Sequence, residues 1–397
     1  MVQTVHSTMF NGYLAKFVII LLSSIQSAQS QIVLNTWSFG AKSNEVAWNT
    51  LAETGSPLDA VELGCNVCEE KKDPSDCDGS VGWGSHPDEA GETTLDAMVF
   101  DGTNIQTGAV ANLKSIKKAV SVARYVMNST QHSLLVGQSA TDFGQQMGFT
   151  LESLSSSVSK SDYTQWKDNS CQPNYWRKVV PDPIHSCGPY QPASPSHYVA
   201  KKSQNMERED KDHDTIGIIA VNKNGNTAVG LTTNGADHKI SGRVGDSPLV
   251  GAGGYASDDG GAAVQTGDGD VMLRFLPTFQ VVQLMKQGVS PLNATRTALM
   301  DIYKFNPDFS GAIVAVNTKL EYAAACVGFS QFEYCVNTGN GTVIITMAQS
   351  QIVLNTWSFG AKSNEVAWNT LAETGSPLDA VELGCNVCEE KKDPSVL

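Results

Sequence analysis

Positively charged side chains are scarce in this chain of 397 residues, which has 27 lysines and arginines against 41 aspartates and glutamates. The formal net charge is -14 at pH 7, and no long run of lysine and arginine occurs. Nucleic-acid binding needs clustered positive charge, and so does electrostatic attachment to an anionic membrane. The composition therefore excludes both kinds of partner. Apolar residues make up 41% of the chain, which is enough for a sizeable core.

Long hydrophobic runs are missing as well. The apolar stretch 17–22 is far shorter than the roughly 20 residues that a membrane-spanning helix needs. It follows Lys16 and precedes the small-x-small sequence Ala28-Gln29-Ser30, a pattern typical of a secretory signal peptide. We therefore predict a cleaved signal peptide over residues 1–30 and no membrane segment after its removal. The alternative is a membrane anchor.

Metal and nucleotide motifs are also absent. The seven histidines show no metal-ligand spacing. The glycine-rich run 251–269 contains neither G-x-G-x-x-G nor G-K-[ST], so it does not indicate a nucleotide site. Asp268-Gly269-Asp270 lacks the remaining ligands of a calcium loop. The sequence predicts neither a metal nor any other cofactor.

Features of a secretory protein are present instead. Three N-glycosylation sequons begin at Asn128, Asn293 and Asn340. The nine cysteines predict disulfides in that oxidising compartment. The segment Cys65-Asn66-Val67-Cys68 has the spacing of a redox or metal pair, but one isolated pair in a secreted chain favours the disulfide interpretation.

A perfect repeat is the most unusual feature of the chain. Residues 28–75 recur without a single change at 348–395. Structural repeats diverge in sequence while keeping a pattern, so this copy indicates a recent duplication or, as we favour, an error in the gene model. The segment predicts one strand (32–37) and one helix (44–65), and a core has one place for that pair. We therefore predict that residues 348–397, the copy and two further residues, are not part of the core.

Short strands and helices alternate between the two copies. A helix is predicted over 107–127, where apolar residues recur at helical spacing. A hairpin is predicted from strands 216–221 and 227–232, because Asn224-Gly225 between them is a strong turn signal. The other predicted elements are strands at 134–137, 312–316 and 322–325 and a helix at 270–286 that Pro277 interrupts. Strands and helices around one core predict a layered α/β or α+β fold.

One threonine lies at an abrupt change of composition. Residues 191–213 are rich in Pro, Ser and charged residues and predict an exposed linker, and an apolar strand follows Asp214 at once. If the chain is cut between Asp214 and Thr215, Thr215 becomes a new N-terminus. A terminal threonine carries its own base, because its α-amine has a pKa of roughly 7.7–8.0 against about 10.4 for lysine. The alternative is an ordinary capping threonine.

Several sequence motifs place this threonine in a wider context. They are VLNTW (33–37), GSPLDAVELGC (55–65), CDGSVGWGSHPDEAGETTLDAMVFDG (77–102), CQPNYWRKVVPDP (171–183), HDTIG (213–217), TTNG (232–235), GRVGDSPLVGAGGYA (242–256), QTGDGD (265–270) and RFLP (274–277). In these motifs the sequence resembles the glycosylasparaginases, a family of N-terminal nucleophile hydrolases, from about Gln31 to about Asn337.

The resemblance implies a fold, an activity and an assembly. The fold would be a four-layer αββα sandwich of the α+β class, cleaved into an α chain (31–214) and a β chain (215–347). Two such pairs would form an (αβ)2 heterotetramer. The enzyme would need no cofactor and would hydrolyse a small glycosyl-asparagine, at the amide between N-acetylglucosamine and the asparagine side chain. Its expected location is the lysosome, reached by the secretory route, with secretion as the alternative.

The resemblance also implies roles for residues around the reacting bond. Thr215 matches the nucleophile that self-cleavage after Asp214 releases. Thr233 matches a second threonine in contact with that nucleophile, although it could also be an ordinary strand-end threonine. Thr266 and Gly267 match an oxyanion hole, in which a hydroxyl and a backbone N–H donate to the developing negative charge.

Three further residues match substrate-binding positions. Arg243 and Asp246 match the pair that binds the asparagine part, and a guanidinium suits the α-carboxylate as a carboxylate suits the α-ammonium. Trp37 matches a tryptophan that lines the pocket. Apart from the resemblance, Arg243 and Asp246 would be interpreted as a solvated surface pair and Trp37 as a core residue.

Family positions imply two disulfides, Cys68–Cys77 and Cys171–Cys187, and leave the pairing of Cys65, Cys326 and Cys335 open. Two other functions also remain open. One is an asparaginase or β-aspartyl peptidase activity on the same fold. The other is an unprocessed and inactive glycoprotein.

Overall fold

The computed structural model describes residues 31–71, 77–194 and 215–348. The predicted signal peptide, Asp214 and the second copy of the repeat beyond Ala348 lie outside the described residues. Within these ranges, no helix combines the length and the apolar character that crossing a membrane would require.

Strands and helices alternate along the described chain. The strands are β1 (Ile32–Thr36), β2 (Leu95–Asp101), β3 (Gln106–Leu113), β4 (Leu134–Val136), β5 (Val179–Val180), β6 (Gln191–Pro192), β7 (Thr215–Val221), β8 (Thr227–Thr233), β9 (Gly254–Ser257), β10 (Gly261–Gly267), β11 (Gly311–Val316), β12 (Tyr322–Val327), β13 (Gln331–Asn337) and β14 (Thr342–Ala348). The α-helices are α1 (Ala41–Thr54), α2 (Pro57–Glu70), α3 (Ala119–Ser129), α4 (Gly137–Gln146), α5 (Ser157–Asp168), α6 (Gly269–Met272), α7 (Pro277–Lys286) and α8 (Pro291–Tyr303).

Two sheets organise these elements. The larger has the strand order β14-β13-β1-β7-β8-β2-β3-β4 and is antiparallel except for the parallel β3–β4 pair. The smaller has the order β12-β11-β10-β9 and is antiparallel throughout. Strands β5 and β6 form a separate pair. The mixed α and β architecture that the sequence predicts is confirmed.

Apolar contacts hold the two sheets and the helices together. One core cluster joins the larger sheet to the smaller, with Leu34 and Ile219 on one side and Val264 and Val314 on the other. A second cluster packs α1 to α4 on the larger sheet, and a third packs α7 and α8 on the smaller sheet. Each sheet therefore buries both of its faces over much of its area.

Strand β7 shows how this arrangement follows from the sequence. Ile216 and Ile218 belong to the cluster on the helix side, whereas Ile219 and Val221 belong to the cluster between the sheets. Successive side chains of a strand point to opposite faces, so a strand that is covered on both faces is an unbroken apolar run. Every residue of β7 is accordingly buried.

The predicted hairpin is confirmed. Strands β7 and β8 pair antiparallel, with Val221 opposite Thr227 at the turn and Thr215 opposite Thr233 at the other end. Gly225 has φ 83°, a left-handed conformation that favours glycine. The turn thus sets the register that places the two threonines side by side.

Other element predictions need correction. The helix predicted over 107–127 is wrong in its first half, which is strand β3; only Ala119–Ser129 is helical. The single helix predicted over 44–65 is two helices, because Gly55 ends the first in a left-handed conformation and Ser56 caps the second. The strand predicted at 134–137 exists as β4, which lies at the sheet edge and is partly exposed.

The first copy of the repeat occupies a central position. Strand β1 lies between β13 and β7 in the larger sheet, and all five of its residues are buried. Ala47 of α1 and Val61 of α2 belong to the helix-side core cluster. Residues 31–71 therefore occupy the core positions that this strand and its helices can fill.

Candidate active site

Thr215 is the first residue of β7 and lies against the next strand of the sheet. Its side chain is 4% exposed. Its Oγ1 donates a hydrogen bond to Oγ1 of Thr233 at 3.1 Å. The contact that the family resemblance implies between these two threonines is present in the structure. The bond between Asp214 and Thr215 lies outside the described residues.

Thr36 fixes the beginning of β7, a role that the sequence analysis missed. The β1–β7 ladder reaches only to the Asn35–Ile218 pair. Beyond it, Thr36 Oγ1 donates to the carbonyl of Thr215 at 3.1 Å and accepts from the N–H of Gly217 at 2.9 Å. One hydroxyl thus replaces the next ladder bonds and holds the backbone of Thr215 in place.

A buried polar network surrounds Thr233. Its Oγ1 also accepts from the N–H of Gly235 at 2.9 Å. Asn234 is fully buried and bonds Gly82 twice, accepting from its N–H at 2.6 Å and donating to its carbonyl at 3.1 Å. The buried ammonium of Lys239 donates to the carbonyl of Asn234. These bonds fix the turn after β8 against the loop that contains Gly82.

Arg243 lies next to this turn and is held by a carboxylate. Its Nε and Nη2 donate to Oδ2 of Asp270 at 3.2 and 2.9 Å, a two-point contact. Its Nη1 would lie 2.8 Å from a Cβ built at Gly235, and the φ of 78° at this residue independently favours glycine. The guanidinium is thereby connected to the Thr215–Thr233 pair through Gly235.

Asp246 is buried beside Arg243. It is 4% exposed and its Oδ2 accepts from Nε2 of Gln265 at 3.0 Å. Burial raises the pKa of Asp246 to about 6, against the lowering effects of the Gln265 hydrogen bond and the Arg243 charge. Gly269 contacts Asp246 so closely that a built Cβ would collide with its Oδ1. The carboxylate is therefore poorly hydrated, and its charged form is disfavoured by burial.

Trp37 connects the larger sheet to the end of β10. Its Nε1 donates to Oγ1 of Thr266 at 2.9 Å. Its ring packs edge-on against Phe329 and Phe332, with centroids 5.3 and 4.9 Å apart, and it is 6% exposed. The structure thus shows Trp37 packed in the core and hydrogen-bonded to Thr266, and its lining of a substrate pocket stays a prediction.

Thr266 and Gly267 end β10. Thr266 is 1% exposed, and Gly267 has φ 132°, a conformation that side chains rarely adopt. A Cβ at Gly267 would lie 2.5 Å from Cα of Gly311 on the neighbouring strand. Glycine is thus required for the close pairing at this end of the smaller sheet.

The two predicted disulfides, Cys68–Cys77 and Cys171–Cys187, are present in the structure. Cys65, Cys326 and Cys335 are buried thiols outside these bonds. All three sequon asparagines, Asn128, Asn293 and Asn340, have exposed side chains, as glycan attachment would require.

The sequence analysis did not assign roles to three residues that hold the site together, Thr36, Asn234 and Asp270. Thr36 and Asn234 adjoin assigned residues in VLNTW and TTNG, and Asp270 lies three residues after Gly267 in QTGDGD. Their membership in these motifs was a signal that they belong to the site. Their hydrogen-bond partners could not be inferred from sequence, because those partners depend on the fold.

Comparison with known proteins gives consistent results. A family model described as "Asparaginase" matches residues 16–345. The chain is 49% identical over 317 residues to N(4)-(beta-N-acetylglucosaminyl)-L-asparaginase of Mus musculus, a match that covers 78% of this chain and 89% of the mouse protein. It is 49% identical over 308 residues to the protein of the same name from Rattus norvegicus, covering 77% and 87%.

Proposed function

Because this chain belongs to the asparaginase family, we propose that it hydrolyses the amide bond between N-acetylglucosamine and the side chain of L-asparagine. The names of the mouse and rat relatives state this substrate and reaction class. Each match extends over more than three quarters of the chain.

The observation that carries the proposal is the Thr215–Thr233 hydroxyl pair at 3.1 Å. Thr215 stands at the first position of a buried strand, directly after a segment that the sequence identifies as a linker. We propose that the Thr215 hydroxyl attacks the carbonyl of Asp214 and forms an ester, which water then hydrolyses. The free α-amine of Thr215 becomes the base for the later reaction.

The catalytic cycle then uses the same hydroxyl. The Thr215 α-amine takes the hydroxyl proton while Oγ1 attacks the side-chain carbonyl of the substrate. The tetrahedral intermediate collapses, the C–N bond breaks, and the amine returns its proton to the departing glycosylamine. Water attacks the remaining ester, releases aspartate and restores Thr215. Thr233, bonded to Thr215 Oγ1, orients the nucleophile.

Thr266 and Gly267 would stabilise the oxyanion. Thr266 Oγ1 accepts the indole N–H of Trp37, so its own proton remains available to donate to another acceptor. Hydrogen-bond donors fixed before the reaction stabilise developing charge without reorganisation, which makes such a site effective. Trp37 would thus act by orienting Thr266 as well as by lining the site.

Arg243 and Asp246 would bind the free amino-acid end of the substrate. The guanidinium binds the α-carboxylate and the buried carboxylate of Asp246 binds the α-ammonium. Burial penalises the lone Asp246 carboxylate. A substrate ammonium compensates that penalty, so the site favours a substrate with both charges.

The wider organisation follows the same family. We propose that the two sheets and their covering helices are a four-layer αββα sandwich of the N-terminal nucleophile hydrolase type. The mature enzyme would consist of an α chain (31–214) and a β chain (215–347), paired as (αβ)2. A signal peptide over residues 1–30 and glycans on the exposed sequons would accompany delivery to the lysosome.

Self-cleavage gives the first test. Thr215→Ala removes both the hydroxyl that cuts the chain and the later nucleophile, so we expect one uncut, inactive chain on a denaturing gel. Thr215→Ser keeps a hydroxyl and should still yield two chains, with serine at the new N-terminus. A fully active, uncut alanine variant would refute the mechanism. An uncut parent protein would favour the inactive-glycoprotein alternative.

The family description favours one second candidate, an asparaginase or β-aspartyl peptidase activity in the same site. Measuring kcat/KM for N-acetylglucosaminyl-asparagine, L-asparagine and a β-aspartyl dipeptide decides between them. The proposed function requires the glycosyl substrate to be turned over most efficiently.

A further inference from the structure

A group of titratable side chains has no part in the proposed reaction. His86, Asp162 and Asp237 each offer one nitrogen or oxygen atom, and these atoms all lie within 4.8 Å of one another. His86 Nδ1 is 3.5 Å from Asp237 Oδ1. We propose that these three residues form a binding site for a divalent transition-metal ion of the Zn²⁺ type.

The distances suit such an ion after small side-chain adjustments. Four-coordinate zinc binds nitrogen and oxygen at about 2.0–2.2 Å, which sets neighbouring ligand atoms roughly 3.3–3.6 Å apart. The His86–Asp237 separation already has this value. The three side chains are 26 to 39% exposed, so an ion can enter and water can complete the coordination shell.

His238 supplies an independent indication. It is 4% exposed, and its two ring nitrogens have no hydrogen bond among the described residues. Yet Nδ1 lies 3.2 Å from Asp237 Oδ1, and Nε2 lies 3.4 Å from Asp162 Oδ2. Its ring stacks on Trp166, with centroids 4.6 Å apart and planes 2° from parallel. A buried imidazole therefore lies close to both carboxylates of the cluster without a hydrogen bond to either.

Asp237 also has a buried polar atom without a hydrogen bond in the described part of the chain. Its Oδ1 is buried and makes no hydrogen bond among the described residues, although two imidazole nitrogens lie within 3.5 Å of it. Buried polar atoms are normally satisfied, and a carboxylate oxygen is satisfied by a metal ion. An ion bound by His86, Asp162 and Asp237 would give this oxygen a partner. The buried ring of His238 would pack beside the two carboxylates.

The donor atoms indicate the class of ion. Imidazole together with carboxylates suits zinc and similar transition metals, whereas Mg²⁺ and Ca²⁺ prefer oxygen ligands alone. The ligands come from three separate segments, which is why spacing along the sequence did not predict the site. His86 lies before β2, Asp162 lies on α5, and Asp237 follows β8.

The location gives the ion a structural consequence. Asp237 and His238 lie between Thr233 and Arg243, in the segment that the site depends on. If cleavage before Thr215 occurs, as the proposed function requires, His86 and Asp162 belong to one chain and Asp237 to the other. The ion would then bridge the two chains and stabilise the segment that positions Arg243. Binding itself does not require cleavage.

Two measurements on tag-free, chelator-treated protein test the proposal. The first is calorimetric titration with Zn²⁺, and the second is the Tm of the protein at a fixed scan rate with and without the ion. We expect about one ion for each copy of the 397-residue chain. The expected Kd is about 10 µM or tighter, and Asp162→Asn or Asp237→Asn should weaken it by at least about tenfold. Saturating Zn²⁺ should raise the Tm of the parent by about 2 °C or more, and that of the variants by less. Mg²⁺ should have no comparable effect.

Matched controls separate this site from ordinary surface binding. Asp168→Asn removes an exposed carboxylate from the same helix as Asp162, and His132→Gln removes an exposed imidazole. Both should bind Zn²⁺ like the parent. Thr215→Ala should also bind it normally, which keeps this test independent of the proposed function. No binding by the parent, or equal binding by folded Asp162→Asn and Asp237→Asn, would overturn the proposal.

Discussion

At the scale of single residues, Arg243 offers a test of how the substrate is held. Its Nε and Nη2 point at Asp270, which fixes the plane of the guanidinium. Lysine would replace this planar, two-point donor with one flexible ammonium. We expect Arg243→Lys to be cut normally but to show a KM at least about tenfold higher, equivalent to about 1.4 kcal/mol. Steady-state kinetics on the purified variant measure this change.

The substrate itself supplies the control for that prediction. Converting its α-carboxylate to an amide should impair binding to the parent enzyme and matter little to Arg243→Lys, because the variant has already lost the interaction. An unchanged KM in the variant would mean that Arg243 only supports the fold through Asp270.

Single residues also show what the sequence could and could not predict. The Thr215–Thr233 contact was expected from the family resemblance, and the hairpin that makes it possible was predicted from its recognisable turn residues. The Arg243–Asp270 pair could not, because it joins a loop after β8 to the short helix α6 across the smaller sheet's end. Contacts within one hairpin are encoded locally, and contacts between distant loops depend on the whole fold.

At the scale of elements, the junction between β1 and β7 determines the position of the nucleophile. Thr36→Val keeps the shape of the side chain but removes its hydroxyl. Gly217 then loses the acceptor of its buried N–H, at a cost of about 1–3 kcal/mol. Thr215 also loses the bond to its carbonyl, so we expect kcat to fall by about tenfold or more with KM nearly unchanged.

Thr36→Ser is the matched control for this junction, since it keeps the hydroxyl. It should retain most of the parent's Tm and kcat, and both should be lower in Thr36→Val. Equal kcat in the valine variant and the parent would show that the ladder alone positions Thr215. A lower Tm with unchanged kcat would limit Thr36 to a structural role.

Helix α2 contains a buried acid that makes stability depend on pH. Glu69 is fully buried, and burial raises its pKa from 4.5 to about 8. Hydrogen bonds that favour the charged form, one of them from the N–H of Val120, oppose this shift but do not cancel it. The folded protein therefore keeps a proton that the unfolded chain loses above pH 4.5. This group's stabilisation is complete below that pH and declines up to about pH 8, by at most about 1.4 kcal/mol per pH unit.

Replacing this acid should remove its share of the pH dependence. Glu69→Gln keeps an acceptor for Val120 and carries no charge. We expect the Tm of the variant relative to the parent to increase steadily between about pH 5 and pH 8. Glu70→Gln, on the partly exposed next residue, should show no such trend. A constant Tm difference for Glu69→Gln would mean that Glu69 is ionised in the folded protein.

The type of an element could be predicted from the sequence where its apolar residues follow a single periodicity. The apolar run of β7 and the turn that follows it gave the correct hairpin. The segment 107–127 was wrong, because apolar residues at spacings of three and four also arise where a buried strand is followed by a helix. Val110 and Leu113 pack in the core from β3, and Val120 and Ala123 pack in the same cluster from α3. Pairing of β3 with β2, which ends at Asp101 just before β3 begins, makes the first half of the segment a strand.

At the scale of the whole molecule, the repeat poses a packing problem. Strand β1 is hydrogen-bonded to β13 and β7 on its two sides, and α1 and α2 cover it. A second identical strand and helix pair can enter this core only by displacing the first. Strand β14 already pairs with β13 at the sheet edge and ends at Ala348, the first residue of the copy.

Truncation decides whether the copy contributes to the fold. Its apolar residues, among them Trp357, Val366 and Trp368, have no matching place in the core, and burial is what offsets a backbone ordering cost of about 1–2 kcal/mol per residue. Deleting 349–397 leaves β14 complete, so we expect unchanged self-cleavage and kcat/KM and higher solubility, because apolar surface is removed. Limited proteolysis of the full chain should cut beyond residue 348 first and spare 31–71. Protection of the copy with cutting in 31–71 would instead show exchange of the two segments, and loss of folding on truncation would make the copy a working part of the molecule.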